Sequence, residues 1–147
     1  MKVWYINQQD DSDPVNGAVI TGSEMLTALL NSRRSRPPFL ALFSGDNGFE
    51  IMVGIGGNIG CIQYSRSDGK APYLMAVSAH PPMKSGYVEF LTADTPTPFA
   101  ARYILNFDEV KKVALDFLKT GERSDAVSWR SLEPGAIEED AERRNLN

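Results

Sequence analysis

Few side chains in this sequence have the types and spacing that chemistry requires. His80 is the only histidine and stands between Ala79 and Pro81. A lone imidazole can act as a general base only when a nucleophile or a second acid is positioned beside it, and no local motif supplies one. Cys61 is the only cysteine and falls inside a strand-like run, where a free thiol usually behaves as a small buried hydrophobe. The patterns HExxH, CxxC and GxSxG do not occur, so a zinc site would have to be built mostly from carboxylates. The expectation is a protein with no catalytic residues, no metal and no cofactor.

Three further clusters each have a functional and a structural reading. Gly54-Ile-Gly-Gly-Asn-Ile-Gly60 invites comparison with a phosphate loop. A dinucleotide fingerprint begun at Gly54 and Gly56 needs a third glycine where Ile59 stands. Strand-like residues Cys61 to Tyr64 follow it, so no helix N-terminus would face a phosphate. A tight hairpin at Gly56-Gly57-Asn58 is the better reading. Asp10, Asp11 and Asp13 have the hard oxygen ligands of a cation site but lack the glycine and distal glutamate of an EF-hand. They read as a solvated acidic turn, or as an acidic patch for a basic protein partner. Arg33, Arg34 and Arg36 have no interleaved aromatic residue to suggest nucleic acid, and suit the negative end of the helix before them.

Composition narrows the classes. A chain of 147 residues is expected to form one domain, burying roughly 70% of the surface its unfolded form exposes. Hydrophobic content of 42% and charged content of 23% are those of an ordinary globular protein. No apolar run approaches the roughly 20 residues of a membrane helix, and the amino terminus turns polar too soon for a secretory signal. With one cysteine and no internal disulfide, a reducing cytoplasm is the expected setting. The net charge of -4 disfavours direct binding to nucleic acid.

The elements that would position these residues follow from periodicity. Val3, Trp4, Tyr5 and Ile6 read as a first strand, followed by a polar, turn-rich stretch from Asn7 to Asn16. Thr21-Gly-Ser-Glu24 has the form of a capping box, with Met25, Leu26, Leu29 and Leu30 on one helical face behind it and Pro37-Pro38 as the stop. Strands are predicted over Phe39 to Phe43, Phe49 to Ile55, Ile59 to Tyr64, Tyr73 to Val77 and Tyr87 to Leu91. Thr95 to Pro98 cannot be a central strand, because its two prolines lack ladder donors. Ala101 to Leu105 reads as a short extended piece. In the second helix Val110, Val113, Ala114, Phe117 and Leu118 share a face, Asn106 caps the start and Gly121 ends it. The fold class expected is α+β: an antiparallel sheet of about five to six strands with two helices packed on one face, in the order strand, helix, strands, helix. Residues 1–132 form the predicted domain. Residues 133–147 read as a polar, loosely held tail, in which Arg143 and Arg144 offset Glu138, Glu139 and Asp140.

The block Phe117-Leu-Lys-Thr-Gly121 with Glu122-Arg-Ser-Asp-Ala-Val-Ser-Trp129 resembles the carboxy-terminal signature of the type-one immunity-protein family of bacterial polymorphic toxin systems. The middle, Gly48 to Gly57 with Gly60 and Tyr64, is similar to that family's paired central strands. The resemblance implies a cytoplasmic, non-catalytic protein that binds a cognate toxin domain, often a deaminase, and blocks its active site or substrate groove. Phe117, Gly121 and Trp129 would then be the structural family motif. The acidic patch Asp10, Asp11 and Asp13 is the expected partner-binding site, because toxins that attract nucleic acid tend to have basic grooves. Two other readings stay open: a small-ligand or enzymatic domain using the glycine hairpin and His80, and a homodimer pairing through a strand edge.

Overall fold

The computed structural model describes residues 1–132, and the tail expected over 133–147 lies outside the described residues. The chain begins with β1 (Val3–Asn7), in which Val3, Tyr5 and Asn7 point inward while Trp4 and Ile6 point out. A long loop leads to the two-residue β2 (Val19–Ile20) and then to α1 (Ser23–Arg33). Three strands follow in antiparallel sequence: β3 (Phe39–Gly45), β4 (Phe49–Gly56) and β5 (Ile59–Arg66). β6 (Tyr73–Val77) pairs with β5, and β7 (Tyr87–Thr92) and β8 (Thr95–Ala100) form a hairpin. A single 3₁₀ turn (Ala101–Tyr103), β9 (Leu105–Asn106), α2 (Phe107–Thr120) and β10 (Ser128–Ser131) complete the described chain.

The class is α+β with two helices, but the strand count and order differ from expectation. Among the described residues ten strands form one sheet, whose main path runs β10-β6-β5-β4-β3-β1-β2. β9 joins β5, and the β7–β8 hairpin meets β3 through a parallel bridge at Phe39 and Leu91. The strands missed by periodicity are those too short to show one, β2 and β9, or those defined by a neighbour, β8 and β10. β8 carries Pro96 and Pro98 and pairs only with β7, an edge position where a missing donor costs no ladder bond. The extended piece expected at Ala101 to Leu105 is instead the 3₁₀ turn followed by β9.

Both helices lie on one face of the sheet. Leu26 and Leu30 from α1, and Val110, Val113, Ala114 and Phe117 from α2, bury against Tyr5, Phe43, Ile51, Val53 and Ile62. Gly60 lets α2 approach this closely, since a Cβ there would lie 2.8 Å from Val110 Cγ2. A second core on the opposite face gathers Leu40, Cys61, Met75, Phe90, Phe99 and Tyr103 beneath the β7–β8 hairpin. The glycine run is therefore packing and turn. β4 and β5 are joined by the two-residue loop Gly57-Asn58, with Gly57 at φ +60°, the sign a type II′ turn needs at its first central residue.

The helix termini differ. At α2, Asn106 Oδ1 accepts from the Glu109 N–H at 2.9 Å and Glu109 Oε1 accepts from the Asn106 N–H at 3.2 Å, a complete capping box. Gly121 ends α2 in the left-handed conformation at φ +74°. The capping box expected at Thr21 does not form. α1 begins at Ser23 with Gly22 as its cap and no side-chain bond, so Glu24 falls one position short of the place from which it could reach back. Met25 is 48% exposed, and the buried face of α1 is reduced to Leu26 and Leu30, with Leu29 half-buried.

Candidate partner-binding surface

The loop between β1 and β2 is built around its own carboxylates. Asp13 is buried and receives the Tyr5 hydroxyl at 2.8 Å, the Asn7 amide at 3.1 Å and the Val15 backbone N–H at 3.1 Å. Arg33, from the last turn of α1, grips the same carboxylate with Nη2 at 2.6 Å and Nε at 2.9 Å. Burial alone would raise the Asp13 pKa, but the bonds from Arg33, Asn7, Val15 and Tyr5 outweigh it and hold the carboxyl well below the usual range. The Tyr5 phenol is pushed up to about 12, first by burial and then by its bond to Asp13.

Asp10 is half-exposed. Its carboxylate accepts from the Ser12 hydroxyl and N–H and lies 3.2 Å from Arg36 Nη1, and these partners lower its pKa. Asp11 is exposed. Of the acidic patch expected from sequence, Asp10 and Asp11 reach the surface together, while Asp13 is turned inward. The arginines have individual partners instead of a shared helix end. Arg33 and Arg36 hold the acidic loop; Arg34 donates to the Gly57 carbonyl at 2.8 Å and to Asn58 Oδ1 at 2.6 Å, with its guanidinium 3.8 Å from the Phe107 ring centroid. Sequence reading treated acids and arginines as separate clusters, and only the fold brings them together.

The same loop also pins the β7–β8 turn. Gln9 Nε2 donates to Asp94 Oδ1 at 2.6 Å and Gln9 Oε1 accepts from the Asp94 N–H at 2.7 Å. Ala93 and Asp94 both have positive φ, at +49° and +66°, which non-glycine residues seldom adopt unless such contacts hold them.

The carboxy-terminal block converges on Tyr64. Its ring stacks on Phe49 at 5.1 Å and meets Phe117 and Trp129 edge-on, each at 6.1 Å. Phe117 is fully buried, whereas Trp129 is half-buried and donates from Nε1 to the Ser124 carbonyl at 2.8 Å. The Gly121 carbonyl accepts from Asn47 Nδ2 at 2.8 Å. Asn47, Phe49, Tyr64, Leu74, Gly121 and Arg123 line an open groove of about 600 Å³ beside this cluster.

His80 and Cys61 are not brought together with any catalytic partner. His80 is exposed on the loop after β6, and its backbone N–H donates to Ser78 Oγ. Cys61 is fully buried, and desolvation pushes its thiol pKa up to about 12. Among the described residues no group of three or more His, Cys, Asp or Glu side chains could hold a metal ion. No helix among them is long and apolar enough to cross a membrane.

The sequence pattern of the family described as Immunity protein Imm1 matches residues 13–131. This chain belongs to the Imm1 family. The match spans the sheet from β2 to β10 and both helices, including Phe117, Gly121 and Trp129. Comparison with curated proteins gave no match. Imm1 membership makes this an immunity-type protein whose counterpart is a cognate toxin, and a non-catalytic one. Sequence reading overlooked one surface feature, the outward-facing Trp4 and Ile6 of β1. The signal was available, since apolar residues at both parities of a strand mean that both of its faces need cover.

Proposed function

We propose that this Imm1 protein neutralises a nucleic-acid-targeting toxin, a deaminase, by covering its active site or substrate groove. The observation that carries this reading is the family match over residues 13–131. Charge supports it. A toxin domain that handles nucleic acid needs a basic groove, and a partner of net charge -4 is attracted to it at long range. Asp11 is the exposed member of the acidic loop placed to contribute to that attraction, with half-exposed Asp10 sharing its charge with Arg36, whereas Asp13 is buried against Arg33. Residues 1–132 form the binding domain, and the protein acts in the cytoplasm, where its own cell's nucleic acids need protection.

Co-expression tests the reading. The toxin-like domain encoded immediately upstream should arrest growth when expressed alone, and this protein should restore growth and co-purify with it. Continued arrest without a complex would refute the function. Reversing the charges of Asp10 and Asp11 to lysine should slow association and flatten its salt dependence, while folding is retained.

A further inference from the structure

Among the described residues, the sheet face turned away from the helices is only partly covered. The β7–β8 hairpin and the 3₁₀ turn pack over Leu40, Cys61 and Met75 at one end. At the other end the outward positions of neighbouring strands stand in two cross-strand rows. Val19, Trp4, Ser44 and Glu50 form one, and Ile6, Leu42 and Met52 form the next. Trp4, Ile6 and Val19 are 36%, 38% and 41% exposed, and the only other large apolar side chains so exposed among the described residues are Met25 and Tyr87. Apolar exposure is thus concentrated on this face, which is the pattern of a surface awaiting a partner.

Glu50 gives the face its chemistry. It is the only acid in the two rows, it is half-buried, and among the described residues its carboxylate has a single partner, the Ser44 hydroxyl at 3.5 Å. No ion pair joins it to a cation among the described residues, and burial pushes its carboxyl pKa up. An apolar partner closing over this face would strip water from a lone carboxylate, which is unfavourable unless the partner brings its own positive charge. A second copy docking about a two-fold axis would present the same two rows, with a like charge at Glu50 and no cation within them.

We propose that Trp4, Ile6, Val19 and Leu42 form the docking face for the toxin domain, and that the toxin seats a lysine or arginine, ringed by apolar side chains, against Glu50. This rests on the reading of the protein as a toxin-neutralising binder. The family match begins at Asp13, so Trp4 and Ile6 lie outside the shared span. The acidic loop leaves β1 directly after Asn7, the residue that follows Ile6.

The test uses the full-length chain and a catalytically inactive form of the toxin domain encoded immediately upstream, with affinity measured by calorimetry. Trp4→Ala should weaken binding by about ten-fold or more. Glu50→Lys should weaken it by about a hundred-fold, with partial recovery when one toxin lysine or arginine is changed to glutamate. Thermal unfolding of each variant checks that the fold is intact, and Val19→Ser serves if Trp4→Ala unfolds. If the wild-type chain binds and the folded variants bind equally well, the docking face is overturned while the immunity function stands. A wild-type chain that does not bind overturns both. If sedimentation shows a wild-type dimer that Trp4→Ala converts to monomer, the face belongs to a second copy and the proposal fails.

Discussion

Arg33 and Asp13 form a two-pronged ion pair, Nη2 to Oδ1 at 2.6 Å and Nε to Oδ2 at 2.9 Å, that ties the end of α1 to the loop after β1. Their side chains are 12% and 0% exposed, so the pair is shielded from water. Planar guanidinium and carboxylate meet in parallel, and Tyr5, Asn7 and Val15 satisfy the remaining acceptor capacity. Asp13→Asn should therefore destabilise the protein by about 3 kcal/mol, chiefly by leaving the Arg33 charge buried without its partner. Urea unfolding of variant and wild type measures this. A loss within a few tenths of a kcal/mol would make the pair incidental.

The same cluster sets the pH range of stability. The folded-state carboxyl of Asp13 is depressed, so its contribution is complete above the unfolded value of about 4 and is lost as pH falls below it. The phenol of Tyr5 is raised to about 12, so its contribution is complete below the unfolded value of about 10 and is lost as pH rises from there through the folded value. Stability followed against pH should decline at both ends. Asp13→Asn should flatten the acid limb and Tyr5→Phe the alkaline one.

The two helix starts should respond differently to alanine. Asn106→Ala removes a complete capping box and should cost about 1 kcal/mol. Thr21→Ala should cost nothing measurable, since Thr21 makes no cap bond to α1. Thermal melts of the two variants, side by side, distinguish a used cap from an unused one.

Gly121→Ala should destabilise by roughly 1–3 kcal/mol, because φ there is +74° and an added Cβ would strike the Asn47 amide and the Met1 sulfur. Phe117→Ala, in the same block, should cost roughly 3–5 kcal/mol by opening a cavity beneath Tyr64. Both should lower the melting temperature without changing the toxin affinity of the folded fraction.

Cys61 should be silent towards thiol reagents in the native protein. It is buried, and its thiol is pushed up to about 12, so almost no thiolate is present at neutral pH. Reaction with a disulfide reagent should follow unfolding. Rapid labelling under native conditions would mean that the β7–β8 hairpin opens away from the sheet.

How much was legible in the sequence depended on the range of the interaction. Asn106, Glu109, Gly121 and the apolar face of α2 act within one or two helical turns, so their spacing alone determined where that helix starts, which side it buries and where it stops. The alternation from Phe49 to Ile55 determined a strand in the same way. The local signal failed at Thr21, where a capping pattern was present but the helix began one residue later than it required. Only the tertiary structure decided what depends on partners distant in the chain. β2 and β9 are strands because β1 and β5 lie beside them. Asp13 is an internal anchor because α1 delivers Arg33 to it from 20 residues away. Trp4 and Ile6 are surface residues because the β7–β8 hairpin covers only one end of the sheet's second face. Hydrophobic pattern and capping are properties of a few consecutive residues, whereas charge compensation and exposure belong to whatever the fold places alongside.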